Sequence, residues 1–396
     1  MRLTLYLPQL LLCLLVVVPT ANAQWRRHTI DNTSQGADGV RLHDINQDGL
    51  LDLCVGWEEG GIVRIYLHPG KPQVRKPWPA ATISKVSSPE DAVFLDLNQD
   101  GAVDVISACE GKERNLFVHW APTNVDDLLK PEAWRTEVFP GNPKRLMWMF
   151  TLPWPNTNGG VDLVAGSKGR GAEVGIFAQQ MPELAWKWQP IAPAAWIMSL
   201  VSEDIQGDGK PDLVYSDRKG KERGIYWVDM ADPNQPGKPQ LLGGADHEVM
   251  FLDIADIDQD GHRDIVAATH DAGLLLLHRT GDAVAFEPIE IPLPGRSGTG
   301  KSVKVGDMDG DGQADLVFSC ENANGKRGIG WLTTPSKSRQ DLATARWSLS
   351  DISGLTEGIK FDLLQLVDLD QDGDLDVLTC EERANLGVIW YENPSR

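Results

Sequence analysis

Short apolar runs of strand length recur along this chain at nearly even intervals. LDLCVGW from Leu51, VDVISAC from Val103, PDLVYSD from Pro211, RDIVAAT from Arg263, ADLVFSC from Ala314 and LDVLTC from Leu375 are rich in Val, Ile and Leu and bounded by Gly or charge. They are too short for helices, so each predicts a strand. A second set puts an aromatic or apolar residue in a following strand: NLFVHW ending at Trp120, RGIYWV at Val228, RGIGWL at Leu332 and GVIWY at Tyr391. A third set opens on an aromatic: WRTEVF at Trp134, FEPIEI at Phe286 and WSLSDI at Trp347. The pattern predicts an all-β chain built from units of four antiparallel strands, A to D.

Each run of the first set follows a loop of one design. DINQDGLLD starts at Asp44, DLNQDGAVD at Asp96, DIQGDGKPD at Asp204, DIDQDGHRD at Asp256, DMDGDGQAD at Asp307 and DLDQDGDLD at Asp368. A seventh frame, WPNTNGGVD from Trp154, keeps the length and the last Asp but has Trp in place of the first carboxylate. The starts lie 50 to 61 residues apart, a period in the range of propeller blades. Oxygen-bearing side chains at loop positions one, three, five and nine, with Gly at six to turn the backbone, describe a calcium site. The expected ligands are Asp44, Asn46, Asp48 and Asp52; Asp96, Asn98, Asp100 and Asp104; Asp204, Gln206, Asp208 and Asp212; Asp256, Asp258, Asp260 and Asp264; Asp307, Asp309, Asp311 and Asp315; and Asp368, Asp370, Asp372 and Asp376. About five to six calcium sites follow, with the frame at Trp154 empty.

An EF-hand shares the opening spacing but ends in a bidentate Glu at position twelve. Here that position is Val55, Ser107, Tyr215, Ala267, Phe318 or Thr379. The DxDxDGxxD loop followed by a short apolar strand instead resembles the FG-GAP or VCBS repeat, over residues 25 to 396. The resemblance implies a calcium-binding propeller like those of integrin alpha chains, bacterial secreted proteins, and some fungal lectins and sugar-converting enzymes. It implies no single activity, because the same fold hosts all of these.

The last repeat stops at its C strand, at Tyr391-Glu392-Asn393-Pro394. Trp25-Arg26-Arg27-His28-Thr29-Ile30 matches the D pattern and precedes every A strand. It is therefore expected to pair with the strand at Trp390 and complete the seventh four-stranded blade, closing the ring. Trp25, Trp134, Trp227, Trp331, Trp347 and Trp390 then read as packing between blades.

Arg2, the apolar run Leu3 to Val18 and Ala21-Asn22-Ala23 have the form of a secretory signal peptide over residues 1–23, cleaved near Ala23. The remaining single domain, 24–396, is expected to be secreted or periplasmic, monomeric and without a transmembrane segment. Loss of residues 1–23 takes the net charge from −20 to −21, and six calcium ions would bring it to about −9. The residual negative charge disfavours nucleic acid as a partner. Cys54, Cys109, Cys320 and Cys380 remain; export permits disulfides among them, and buried free thiols are equally natural.

In a four-stranded meander the A–B loops lie on one face and the B–C and D–A connections on the other. Six residues after each terminal loop Asp stand Glu58, Glu110, Lys168, Arg218, His270, Glu321 and Glu382. The D–A connections add Asp38, Asp91, Lys144, Arg145, Trp196, His247, Glu248, Lys301 and Lys360. The loop face is repetitive and this face is individual, so this is where a ligand would be read. His247 and His270, with Glu248, could approach one another to hold a transition metal or act as a base. The P-loop-like GRSGTGKS at Gly295–Ser302 is discounted, because a strand rather than a helix should follow it.

The leading function is a binding module for a glycan or protein ligand outside the cell. The alternative is a carbohydrate lyase or dehydratase with His247 or His270 as base and Lys144, Arg145, Lys301 or Lys360 neutralising an anion. A structural scaffold is the third. Because the upper-face residues do not repeat, one central site fits better than several peripheral ones.

Overall fold

The computed structural model describes residues 24–156, 159–180, 185–279, 281–333, 342 and 347–394. The segment read as a signal peptide lies outside the described residues. The chain forms seven four-stranded antiparallel sheets. The first blade is Ala37–His43, Asp52–Trp57, Ile62–Tyr66 and Ala80–Lys85, as strands A to D. Each A strand lies against the A strand of the next blade, and the seventh blade meets the first through its B strand, so the sheets close a ring. Among the described residues no helix is long and apolar enough to cross a membrane.

The seventh blade combines Gln365–Val367, Asp376–Glu381 and Gly387–Glu392 with the N-terminal strand Arg26–Asp31. His28 pairs with Trp390 and Arg26 with Glu392 in an antiparallel register. Side chains reinforce the seam. His28 Nε2 lies 2.7 Å from Glu392 Oε2 and its ring stacks on Trp390 at 4.5 Å. Asp31 accepts from Tyr66 Oη at 2.8 Å and also pairs with Arg64, both in blade one. Arg75 Nε donates to Glu392 at 3.0 Å, and this contact holds the Glu392 carboxyl down to about 2.

The core is a set of inter-blade layers in which Trp57, Trp148, Trp154 and Trp390 are fully buried. Trp25, Trp134, Trp227 and Trp331 are buried as expected, and Trp347 packs half-buried against the largest layer. The four cysteines are buried free thiols in B strands. Burial pushes Cys109 and Cys320 up to about 12, so they stay protonated and unreactive. A strand, Thr299–Gly306, follows Gly298, which removes the P-loop context.

The A strands contain a feature that the periodicity does not announce. Six of the seven shift register by a bulge near their start, as between Asp38 and Arg41, Pro89 and Asp91, and Gly300 and Ser302. A bulge re-aims side chains and unpairs a backbone group. Across several seams, a residue of one bulged A strand accepts an N–H from the next blade. Asp91 accepts from Thr151 at 3.1 Å, Ser199 from Leu252 at 3.5 Å and Ser302 from Leu364 at 3.4 Å.

Candidate functional site: two faces of the ring

On the loop face, six frames share a backbone-organised design. The first Asp gathers backbone N–H groups: in blade one, Asp44 Oδ1 accepts from Asp48 at 3.1 Å and Oδ2 from Gly49 at 2.9 Å. In five of the frames position three does the same, Asn46 Oδ1 accepting from Asp48 at 3.0 Å. The last Asp is buried, and in blade one its oxygens accept from Ile45 at 3.0 Å and from His68, just after the C strand, at 2.8 Å. Burial in a dry, carboxylate-rich loop pushes Asp52 up to about 6, Asp104 to about 7 and Asp376 to about 8.

Gly at position six has φ between 82° and 98° in all six frames, and at Gly49, Gly101, Gly209, Gly261 and Gly312 there is open space where a Cβ would stand. The requirement is therefore conformational rather than steric. Position four is also left-handed, and in four frames it is Gln: Gln47, Gln99, Gln259 and Gln371, at φ 59–61°. A non-Gly residue there is strained and persists only where its surroundings hold it.

The frames differ in donor set. Asp256, Asp258 and Asp260 bring oxygens within 4.8 Å of one another, as a hard cation needs. His278 borders that loop, Nδ1 lying 2.9 Å from Asp264 and Nε2 3.6 Å from Asp258. Arg75 pairs with Asp370 in the last loop. Asp374, at position seven of that loop, is a fifth carboxylate that a search of positions one, three, five and nine passes over, and burial pushes it up to about 6. Gln206 turns its amide nitrogen toward Asp208 and Asp212 at 3.3 and 3.4 Å, contributing a donor where a cation needs acceptors.

In the degenerate frame Trp154 is buried. Asn156 Nδ2 lies 3.3 Å from both Asp162 Oδ1 and Gln179 Oε1. An amide N–H thus occupies the electrostatic role that a cation would have.

On the opposite face, most of the B–C turn residues meet around the axis. Glu58 faces Glu110, which pairs with Lys168 of blade three. Lys168 Nζ sits 4.7 Å from the Trp196 ring centre and the Arg218 guanidinium 4.8 Å, flanking one indole with two cations. Arg218 Nε reaches Glu248 at 3.1 Å, beside a contact from Lys219. Burial pushes Glu248 up, but its hydrogen bonds to Lys219 and Arg218 outweigh that and hold it below the usual range. His270 stands 3.8 Å from Glu248 and 3.0 Å from Glu321. Lys301 Nζ meets Asp362 at 3.0 Å, and Lys360 meets Glu382.

Other predicted members lie elsewhere. Arg145 turns to Glu173 in the third blade's C strand at 2.6 Å, and Lys144 is solvent-exposed. His247 faces Asp271 at 3.6 Å and Glu290 in a D strand at 3.4 Å, whereas His270 faces Glu248 and Glu321. Asp91 is fully buried, with Arg41 Nε at 2.9 Å and the Thr151 N–H as its partners, and acts as a clamp between blades. Three contributors were not foreseen: Lys219, Glu90 and Asp362. The A-strand bulge accounts for Glu90, which it points to the axis in place of Asp91; Asp362 precedes the seventh A strand and meets Lys301, which sits in the bulge between Gly300 and Ser302.

The FG-GAP-like repeat matches residues 44–107 and 256–318, each running from one A–B loop through the rest of its blade to the next blade's loop and into its B strand. With seven such blades in a ring, the assignment follows. The chain is an FG-GAP repeat propeller. No curated protein matches its sequence. Among solved structures, BBS1N in complex with ARL6DN aligns at a TM-score of 0.54 and 12% identity, over 94% of this chain and 98% of that one. The rhamnogalacturonan lyase YesW aligns at 0.51 and 12% identity, over 94% and 76%. At such identities the propeller shares a fold with a partner-binding protein and with an enzyme, and the fold does not choose between them.

Proposed function

We propose that this propeller is an extracellular binding module, stabilised by calcium in its A–B loops, that takes one ligand at the axis on the opposite face. The observation carrying this reading is the circuit from Glu58 through Glu110, Lys168, Trp196, Arg218, Glu248 and His270 to Glu321, in which successive blades contribute unlike side chains. A ring needs no such individuality for its own closure. A polar, aromatic-bearing centre made of unlike contributors suits a glycan or a protein loop.

The same geometry weighs against an eliminase. Lys168, Lys301, Lys360, Arg218 and Lys219 each already hold a carboxylate, so neutralising a uronate would first require breaking an ion pair, several of them buried. A glycan array screened in calcium, together with acidic polysaccharides followed for unsaturated products, tests the reading. Binding without product formation, lost in Trp196→Ala and Arg218→Ala, is expected. Turnover that disappears in His270→Ala while binding persists would establish the enzyme instead.

A further inference from the structure

At the axis, on the face away from the loops, blades one, two and seven bring six acidic side chains together. Glu110, Asp362 and Glu382 are each paired with a lysine. The other three, Asp38, Glu58 and Glu90, have no such cation, and their oxygens lie within 4.8 Å of one another. Hard oxygen ligands gathered that closely are the donors a divalent cation such as calcium takes. Asp38 faces Asp362 and Glu58 faces Glu110, so each of the two meets another carboxylate rather than a cation of its own.

Glu90 makes the argument independent of crowding alone. It is only 9% exposed, and among the described residues its carboxylate has neither a hydrogen-bond donor nor an ion-pair partner. A buried carboxylate without a partner is costly, and proteins supply it with a proton, a cation or a metal. Lys168 and Lys301 act on it only at longer range.

We propose that Asp38, Glu58 and Glu90 form a divalent-cation site at the axis, separate from the A–B loops. An ion there neutralises three carboxylates that the lysines leave over. Its coordination is incomplete on the open side of the ring, where oxygens of water or of a ligand complete the shell. The site does not depend on the identity of any ligand.

The test uses the mature protein, stripped with chelator, saturated with calcium and desalted, with bound ions counted by atomic emission. Glu58→Gln with Glu90→Gln is expected to hold one ion fewer per chain than the parent. In chelator the same variant should melt above the parent, because repulsion is removed, and in calcium that advantage should vanish or reverse. Glu90→Gln alone, the smaller change, should weaken the affinity of one calcium ion at least about tenfold. An unchanged ion count, or an equal gain in melting temperature with and without calcium, would overturn the proposal.

Discussion

His119 illustrates how the blades dictate the chemistry of single residues. It is fully buried in the second blade's C strand, with Ser107 Oγ at 2.8 Å from one ring nitrogen and Thr136 Oγ1 at 2.9 Å from the other. Burial pushes it down to about 3. A base whose folded pKa lies below its unfolded value binds fewer protons when folded, so it costs stability as the pH falls below about 6.5, until about 3. His119→Gln puts a hydrogen-bonding amide in place of the ring and has no group to charge. Between pH 6 and 4 the variant should lose stability less steeply than the parent, by about 1.4 kcal/mol per pH unit, measured by urea unfolding across that range. Nothing in NLFVHW distinguished this histidine from a solvated one, because its burial is supplied by strands distant in the chain.

The loop is the element on which the fold and the proposed metal chemistry meet, and its two ends should respond differently to mutation. Asp264 is buried and accepts from Ile257 at 3.1 Å and from Arg279 at 2.9 Å, tying the loop to the C strand. Asp264→Ala should destabilise the propeller even in chelator, by about 2–4 kcal/mol, since buried N–H groups lose a charged acceptor. Asp256 accepts from Asp260 and Gly261 at the exposed tip, so Asp256→Ala should cost much less in chelator and show its main effect in calcium. Denaturant unfolding with and without calcium separates the two; equal effects under both conditions would argue that the loop is a turn and nothing more. The loop was legible from its spacing because its contacts are local. The A-strand bulge was not, because only the neighbouring blade gives its freed N–H an acceptor.

For the whole molecule, calcium should be the main lever on stability. The loops crowd carboxylates that repel one another without an ion, and ligand binding to the folded state alone adds stability by mass action. Chelator should therefore lower the melting temperature by many degrees, and calcium should restore it; a melting curve indifferent to chelator would remove the metal assignment. Ring closure gives a second prediction. Removing residues 24–31 takes the outer strand from the last blade, uncovers the fully buried Trp390, and deprives Arg64 and Tyr66 of Asp31. The truncated chain should self-associate and melt lower, because an open strand edge and an exposed aromatic surface favour aggregation. Size-exclusion chromatography and a thermal melt decide this, and a monomer that melts like the parent would count against closure.

The repeat, its strands and its closing segment could all be read from the chain, because a nine-residue turn and an alternating strand depend on neighbours a few positions away. The sign of charge around the axis could be read as well, since the repeats align on themselves. Only the tertiary structure decided what those charges do. It committed Lys301 to Asp362, aimed Arg145 and His247 away from the axis, made Asp91 a clamp, and left Asp38, Glu58 and Glu90 together without a counter-charge. Such pairing depends on which blades become neighbours and on the bulge that turns six of the seven A strands at the axis, and both are set by closing the ring.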